Sequence, residues 1–229
     1  MRSLDRAPDG FKRATAVPTH MNADAFSEEF RDGNETPLSR LGSSKSLYAL
    51  AGGEMDADAV RAAVAAEFAL AGRRFESWSA DEADGDAAAL FGDVAEDARD
   101  HRDVADSDVD PEADGVHDYP EHDLLAELDD TVARAGGLYG RLVLAHTRAE
   151  QTVGFFVGDA DPASSREFRD IRDDVADRLD DALDLLAALC DGDDDRAAAR
   201  EAADAVVETA YDDYVETLEG MGVKPKNVC

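Results

Sequence analysis

Cysteine is nearly absent from this sequence. The chain of 229 residues carries two, Cys190 and Cys229, far apart and outside any CxxC pair. That excludes a disulfide scaffold and a zinc ribbon. Lysine is scarce as well, with four (Lys12, Lys45, Lys224 and Lys226) against 19 arginines. Aromatic residues make up 7% of the chain, and no basic residues interleave with Tyr211 and Tyr214. That gives no stacking platform for single-stranded nucleic acid. No apolar run reaches the ~18 residues that suggest a membrane span. Val, Ile, Thr and aromatic residues never alternate over more than a few positions, so strand signals are weak throughout. The motifs GxGxxG, GxxxxGKS/T, GxSxG and HExxH are all missing.

Acid is what the chain has in excess. It holds 54 acids and 23 bases, a formal net charge of -31, with 37 Asp and 17 Glu. High Asp, scarce Lys and abundant Ala resemble the composition of proteins from extreme halophiles. At multimolar salt the Debye length falls to roughly 3 Å or less, so such a surface no longer repels itself. A basic patch for phosphate contacts is lacking, which argues against direct nucleic-acid binding. The same charge argues against anionic membrane surfaces. The acidity is therefore read as solvation, and the chain as a cytoplasmic protein that allows a homodimer or another protein partner.

Helical periodicity recurs along the chain. Residues 1–20 stand apart, with four bases and two acids. They form no signal peptide and are expected to be a disordered extension or the product of an upstream start codon. Residues 21–55 read as N-terminal helices, with Leu38, Leu41, Leu47 and Leu50 as the apolar stripe. Residues 56–105 read as a first helix pair. Its stripe runs through Val60, Val64, Phe68, Ala71, Phe75 and Trp78, then, after a short polar turn, through Leu90, Phe91, Val94, Ala98 and His101. Between residues 103 and 123 there are nine acids and no Lys or Arg, so 106–122 is expected to be an acidic linker. Residues 123–190 read as a second helix pair. Its first helix should break or kink at Gly136 and Gly137, and Ser164 and Ser165 are candidate caps for its second. Cys190 ends the apolar stripe as a small core residue. Residues 191–229 give a last helix, with Tyr211 and Tyr214 as packing residues, and a tail. The fold class is all-α. The layout predicts a four-helix bundle with one long crossover and extra N- and C-terminal helices.

The stretch from Ser46 to Ala105, with Glu67 on its first helix and DARDH near the end of its second, resembles the first helix pair of rubrerythrin-like members of the ferritin-like superfamily. The resemblance implies a ferritin-like bundle in which each helix pair gives one Glu and one Glu-x-x-His to two irons that handle oxygen or peroxide. Carried over residue by residue, Glu67 takes the first Glu, His101 the first His and Glu150 the third Glu, with His146 one turn before it. The departures are specific. Ala98 stands where the bridging Glu belongs, Glu96 and Asp97 point elsewhere on the helical wheel, and no Glu-x-x-His exists in residues 167–190. The rubredoxin-like cysteine module is missing too. The expected ligand set is therefore a reduced one, Glu67, His101, His146 and Glu150, holding iron or another divalent metal if any. If no metal is held, Glu67 and His101 should form a satisfied, buried polar pair.

Three functions follow from this. The first is a non-catalytic or residual-metal-binding rubrerythrin-like bundle of a halophile. The second is a mononuclear or di-iron oxidoreductase acting on peroxide. The third is a transcription-associated helical protein that works through protein partners. No catalytic residue is assigned.

Overall fold

The computed structural model describes residues 21–106, 108–110 and 117–225. The expectations for residues 1–20, for residues 107 and 111–116 of the acidic linker and for Cys229 therefore lie outside the described residues. Among the described residues the chain is all-helical, with no strand. Among the described residues, no helix is long and apolar enough to cross a membrane.

Two long helix hairpins carry the structure. In the first, α4 (Ala57–Asp81) turns back through residues 82–84 into α5 (Gly85–Asp106). Asp56 caps α4 by accepting from Ala59 N, which satisfies one of the free amides of the first turn. The predicted stripe is the buried one: Val60, Phe68, Ala71, Phe75 and Trp78 on α4 face Leu90, Phe91, Val94 and Ala98 on α5. Phe75, Trp78 and Phe91 form an aromatic cluster with centroids 5.2–6.5 Å apart. Each such fully buried ring contributes about 1.5–3 kcal/mol by leaving water.

The second hairpin is α7 (Thr131–Gly158) and α8 (Pro162–Leu189), followed by α9 (Asp193–Gly220). Helix α7 is covered from several sides, by α8, α9 and the N-terminal helices. Residues 135–145 are accordingly buried without a break, the pattern of a helix enclosed on all sides. The cap of α8 is Asp161, with Pro162 in the first turn, rather than Ser164 or Ser165.

The expected break at Gly136 and Gly137 does not occur, and α7 is continuous through both. The glycines have another role. A Cβ at Gly140 would lie 2.6 Å from the carbonyl oxygen of Ala203, and one at Gly136 would meet the backbone of Ala199. Glycine on α7 opposite alanine on α9 lets the two backbones approach. The real break lies earlier. A short helix, α6 (Glu121–Ala126), ends before a turn at residues 127–130, and α7 begins afresh under the cap of Asp130.

The N-terminal part forms three short helices, α1 (Ala23–Gly33), α2 (Glu35–Leu41) and α3 (Ser44–Leu50). They lie on α7, α8 and α9. Phe26 and Phe30 meet Tyr139 edge-on at 5.6 and 5.1 Å. The two hairpins meet along α5 and α8, where Arg178 Nε donates to Asp97 at 2.6 Å, and along α4 and α7, where the polar centre lies.

Candidate functional site

Helix α7 carries Arg134, Arg141 and Arg148 at a spacing of seven. Seven residues are close to two turns, so the three guanidinium groups share one face. Each finds an acid on another part of the chain. Arg134 pairs with Glu82 at 3.2 Å and lies over Trp78. Arg148 donates to Glu121 at 2.6 Å. Arg141 makes the central contact: its Nε donates to Glu67 Oε1 at 3.0 Å and its Nη2 to Oε2 at 2.9 Å.

That bidentate pair is fully enclosed, with Arg141 1% and Glu67 3% exposed. Its guanidinium also lies over Phe68 and Phe75, at 5.4 and 5.8 Å from the ring centroids. Residues 117–126 close over it. His122 Nε2 is 3.4 Å from Glu67 Oε1, and Arg148 Nη1 is 3.7 Å from the same oxygen. Tyr119 donates its hydroxyl to the Ala63 carbonyl at 2.6 Å, and the Arg148 guanidinium lies over its ring at 5.2 Å. Tyr119 has φ 49°, a left-handed conformation that costs energy for a residue with a Cβ. Its buried ring and hydroxyl bond hold it there.

Two carboxylates face two guanidiniums, so the buried charge balances. Burial opposes ionisation of Glu67, but Arg141, His122 and Arg148 outweigh it and hold the carboxyl down at about 2. Burial likewise opposes the charge on Arg148, and Glu121 and Glu67 overcome it and push its pKa up. Burial raises the Tyr119 phenol well above its usual range. Among the described residues, Glu121 Oε2 and His122 Nδ1 remain buried without a hydrogen-bond partner. Such groups make the network expensive to bury.

The four expected metal ligands have separate partners. Glu67 is buried as expected, but both its oxygens are engaged by Arg141. His101 is also buried, at 6% exposure, yet it does not pair with Glu67. It meets Phe68 edge-on at 5.1 Å and places Nε2 3.2 Å from Asp174 on α8. Burial lowers its pKa, partly offset by Asp174. His146 and Glu150 face each other one turn apart on α7, 3.9 Å between Nδ1 and Oε2, and the Glu150 side chain is 52% exposed. Among the described residues, no group of three or more His, Cys, Asp or Glu is arranged to hold a metal ion. A divalent ion at Glu67 would have to displace a guanidinium already bonded to both oxygens, so the residues present do not fit such a centre. Ala98 has a packing role. It is 2% exposed and lies beside Gly72 where α4 and α5 come close.

The residues missed from the sequence are Arg141, Arg148, Tyr119, Glu121 and His122. Residues 106–122 read as a solvated linker because acids dominate them. Tyr119, Glu121 and His122 are in fact buried, at 1%, 0% and 4% exposure. The arginine spacing on α7 was the available signal, since it sets charge beside the apolar positions Leu138, Leu142 and Ala145. Cys190, read from the sequence as a small core residue, is a core thiol 1% exposed. Its burial and the neighbouring Asp195 and Asp191 push its pKa up to about 11.

Comparison with protein-family models, with curated proteins and with solved structures finds no match to this chain.

Proposed function

We propose that this chain is a non-catalytic helical-bundle protein whose polar centre is a structural clasp. In this reading α4, α5, α7 and α8 form a four-helix bundle, with the connection from α5 to α6 as its long crossover and α1–α3 and α9 packed outside. The ferritin-like resemblance then describes an arrangement of helices, with an arginine serving as the internal cation. The observation that carries the reading is the buried bidentate pair between Glu67 and Arg141. A carboxylate balanced this way needs no metal to compensate its charge. The clasp joins one hairpin to the other, so it fixes their register and leaves function to the outer surface, through protein partners.

Elemental analysis tests this. Protein purified in high salt without chelator should carry Fe, Mn and Zn well below one ion per chain. The residual content should be the same in a His101→Ala/His146→Ala variant. One ion per chain, lost in that variant, would overturn the proposal and return the metal-handling alternative.

A further inference from the structure

A second polar feature lies at the α7–α8 turn. A cavity of about 430 Å³ opens there, lined by the apolar Phe156, Val157, Ala160 and Pro162 and by the polar Asp161, Ser165, Arg166 and Arg169, the Asp161 carboxylate being taken up by the Ser164 hydroxyl and the first amides of α8. Its size falls within the range of small-molecule pockets, which combine apolar walls with a few orienting polar groups. Phe156 is fully buried and stacked on Phe168 at 5.3 Å, so the apolar floor is rigid. Val157 is 56% exposed and forms the rim.

The polar side is unusual for this chain. Acids outnumber bases 54 to 23, and most arginines here are engaged: Arg61 with Glu167 at 2.6 Å, Arg178 with Asp97 and Arg200 with Asp204. Among the described residues, Arg166 and Arg169 have no ion-pair partner. Glu167, between them in sequence, is drawn away by Arg61. The hydroxyl of Ser165 makes no hydrogen bond, although the residue is only 2% exposed. By contrast, its neighbour Ser164 donates to Asp161 at 2.5 Å. A hydroxyl on a cavity wall that bonds to nothing within the protein has its hydrogen-bonding capacity available to a ligand. The amides at the start of α8 are not part of this site, because Asp161 already accepts from Ala163 N and Ser164 N.

Two cations and a free hydroxyl beside a rigid apolar wall recognise an anionic head on an apolar body. We propose that this cavity binds a small amphiphilic anion, a carboxylate or phosphate carrying a short alkyl or aryl chain. The head meets Arg166, Arg169 and Ser165 Oγ, and the chain lies on Phe156, Val157 and Pro162. In concentrated salt the long-range repulsion between the acidic surface and an anion is screened.

The test uses the full chain in multimolar KCl, with binding followed by titration calorimetry and by backbone amide shifts. Sodium decanoate and decyl phosphate should bind saturably, with shifts centred on residues 156–169, and decanol should bind roughly tenfold more weakly. An Arg166→Gln/Arg169→Gln variant, whose residues are exposed, should fold normally by circular dichroism and lose roughly tenfold or more in decanoate affinity. An Arg31→Gln control should match the parent chain. Sedimentation with phosphatidylglycerol vesicles separates the two sources of such a head. Binding of the soluble anions without sedimentation assigns a free amphiphile, and sedimentation abolished in the double variant assigns a lipid headgroup. No decanoate binding, equal binding of decanol, or an unaffected double variant would each overturn the proposal.

Discussion

Substituting Arg141 by Met would leave Glu67 with only His122 at 3.4 Å and Arg148 at 3.7 Å. Breaking a buried ion pair by removing one partner costs about 3–5 kcal/mol, because the other charge stays buried. The carboxyl gives an independent figure. Its pKa falls from 4.5 to about 2 on folding, which corresponds to about 3 kcal/mol of linked stability. The folded value is the depressed one, so this contribution is fully present above pH 4.5 and is lost as pH falls towards 2. That figure belongs to the whole cluster of Arg141, His122 and Arg148, and Arg141→Met should destabilise by about 3 kcal/mol at pH 7. A Glu67→Leu/Arg141→Met double variant removes both charges and fills the space with apolar groups. It should recover most of that loss, since such replacements are often neutral or better. The assay is urea unfolding in constant KCl, followed by the fluorescence of Trp78, which is 3% exposed and beside Phe75 and Phe91. Glu67→Gln, measured between pH 7 and pH 2.5, should show a flatter acid limb than the parent chain. A single-variant cost below about 1 kcal/mol, or a double variant no better than the singles, would refute the clasp as the centre of the structure.

Two further outcomes follow from packing and charge. Gly140→Ala should destabilise by about 1–3 kcal/mol by forcing α9 away from α7; Gly154→Ala, on the same helix with open space around its Cα, should stabilise by roughly 0.5–1 kcal/mol, and thermal melts of the pair give the contrast in sign. The melting temperature should rise from dilute buffer to multimolar KCl, because the surface carries a net charge of -31 whose self-repulsion salt screens; an unchanged melting temperature would contradict this.

The candidate site was legible only in part. Glu67 and His101 were visible as polar residues at inward positions of apolar stripes, and both are buried. Their partners were not visible. Arg141 comes from a helix 74 residues further on, and Asp174 from 73 residues beyond His101. Sequence spacing says which face a residue occupies, but not which residue of another helix stands opposite.

What the sequence by itself determined is the helical class, the long helices and their buried faces. These follow from periodicity, acids at a helix start such as Asp56, and turn residues, all of which act within a few positions along the chain. What only the tertiary structure decided is the use made of special residues. The glycines of α7 look like a break until α9 is seen crossing them, and the acidic run before α6 looks like solvated linker until Glu121 is seen against Arg148. Ala98 looks like a lost ligand until Gly72 is seen beside it. Each depends on how closely two distant segments approach, and that distance is fixed by packing of the whole core.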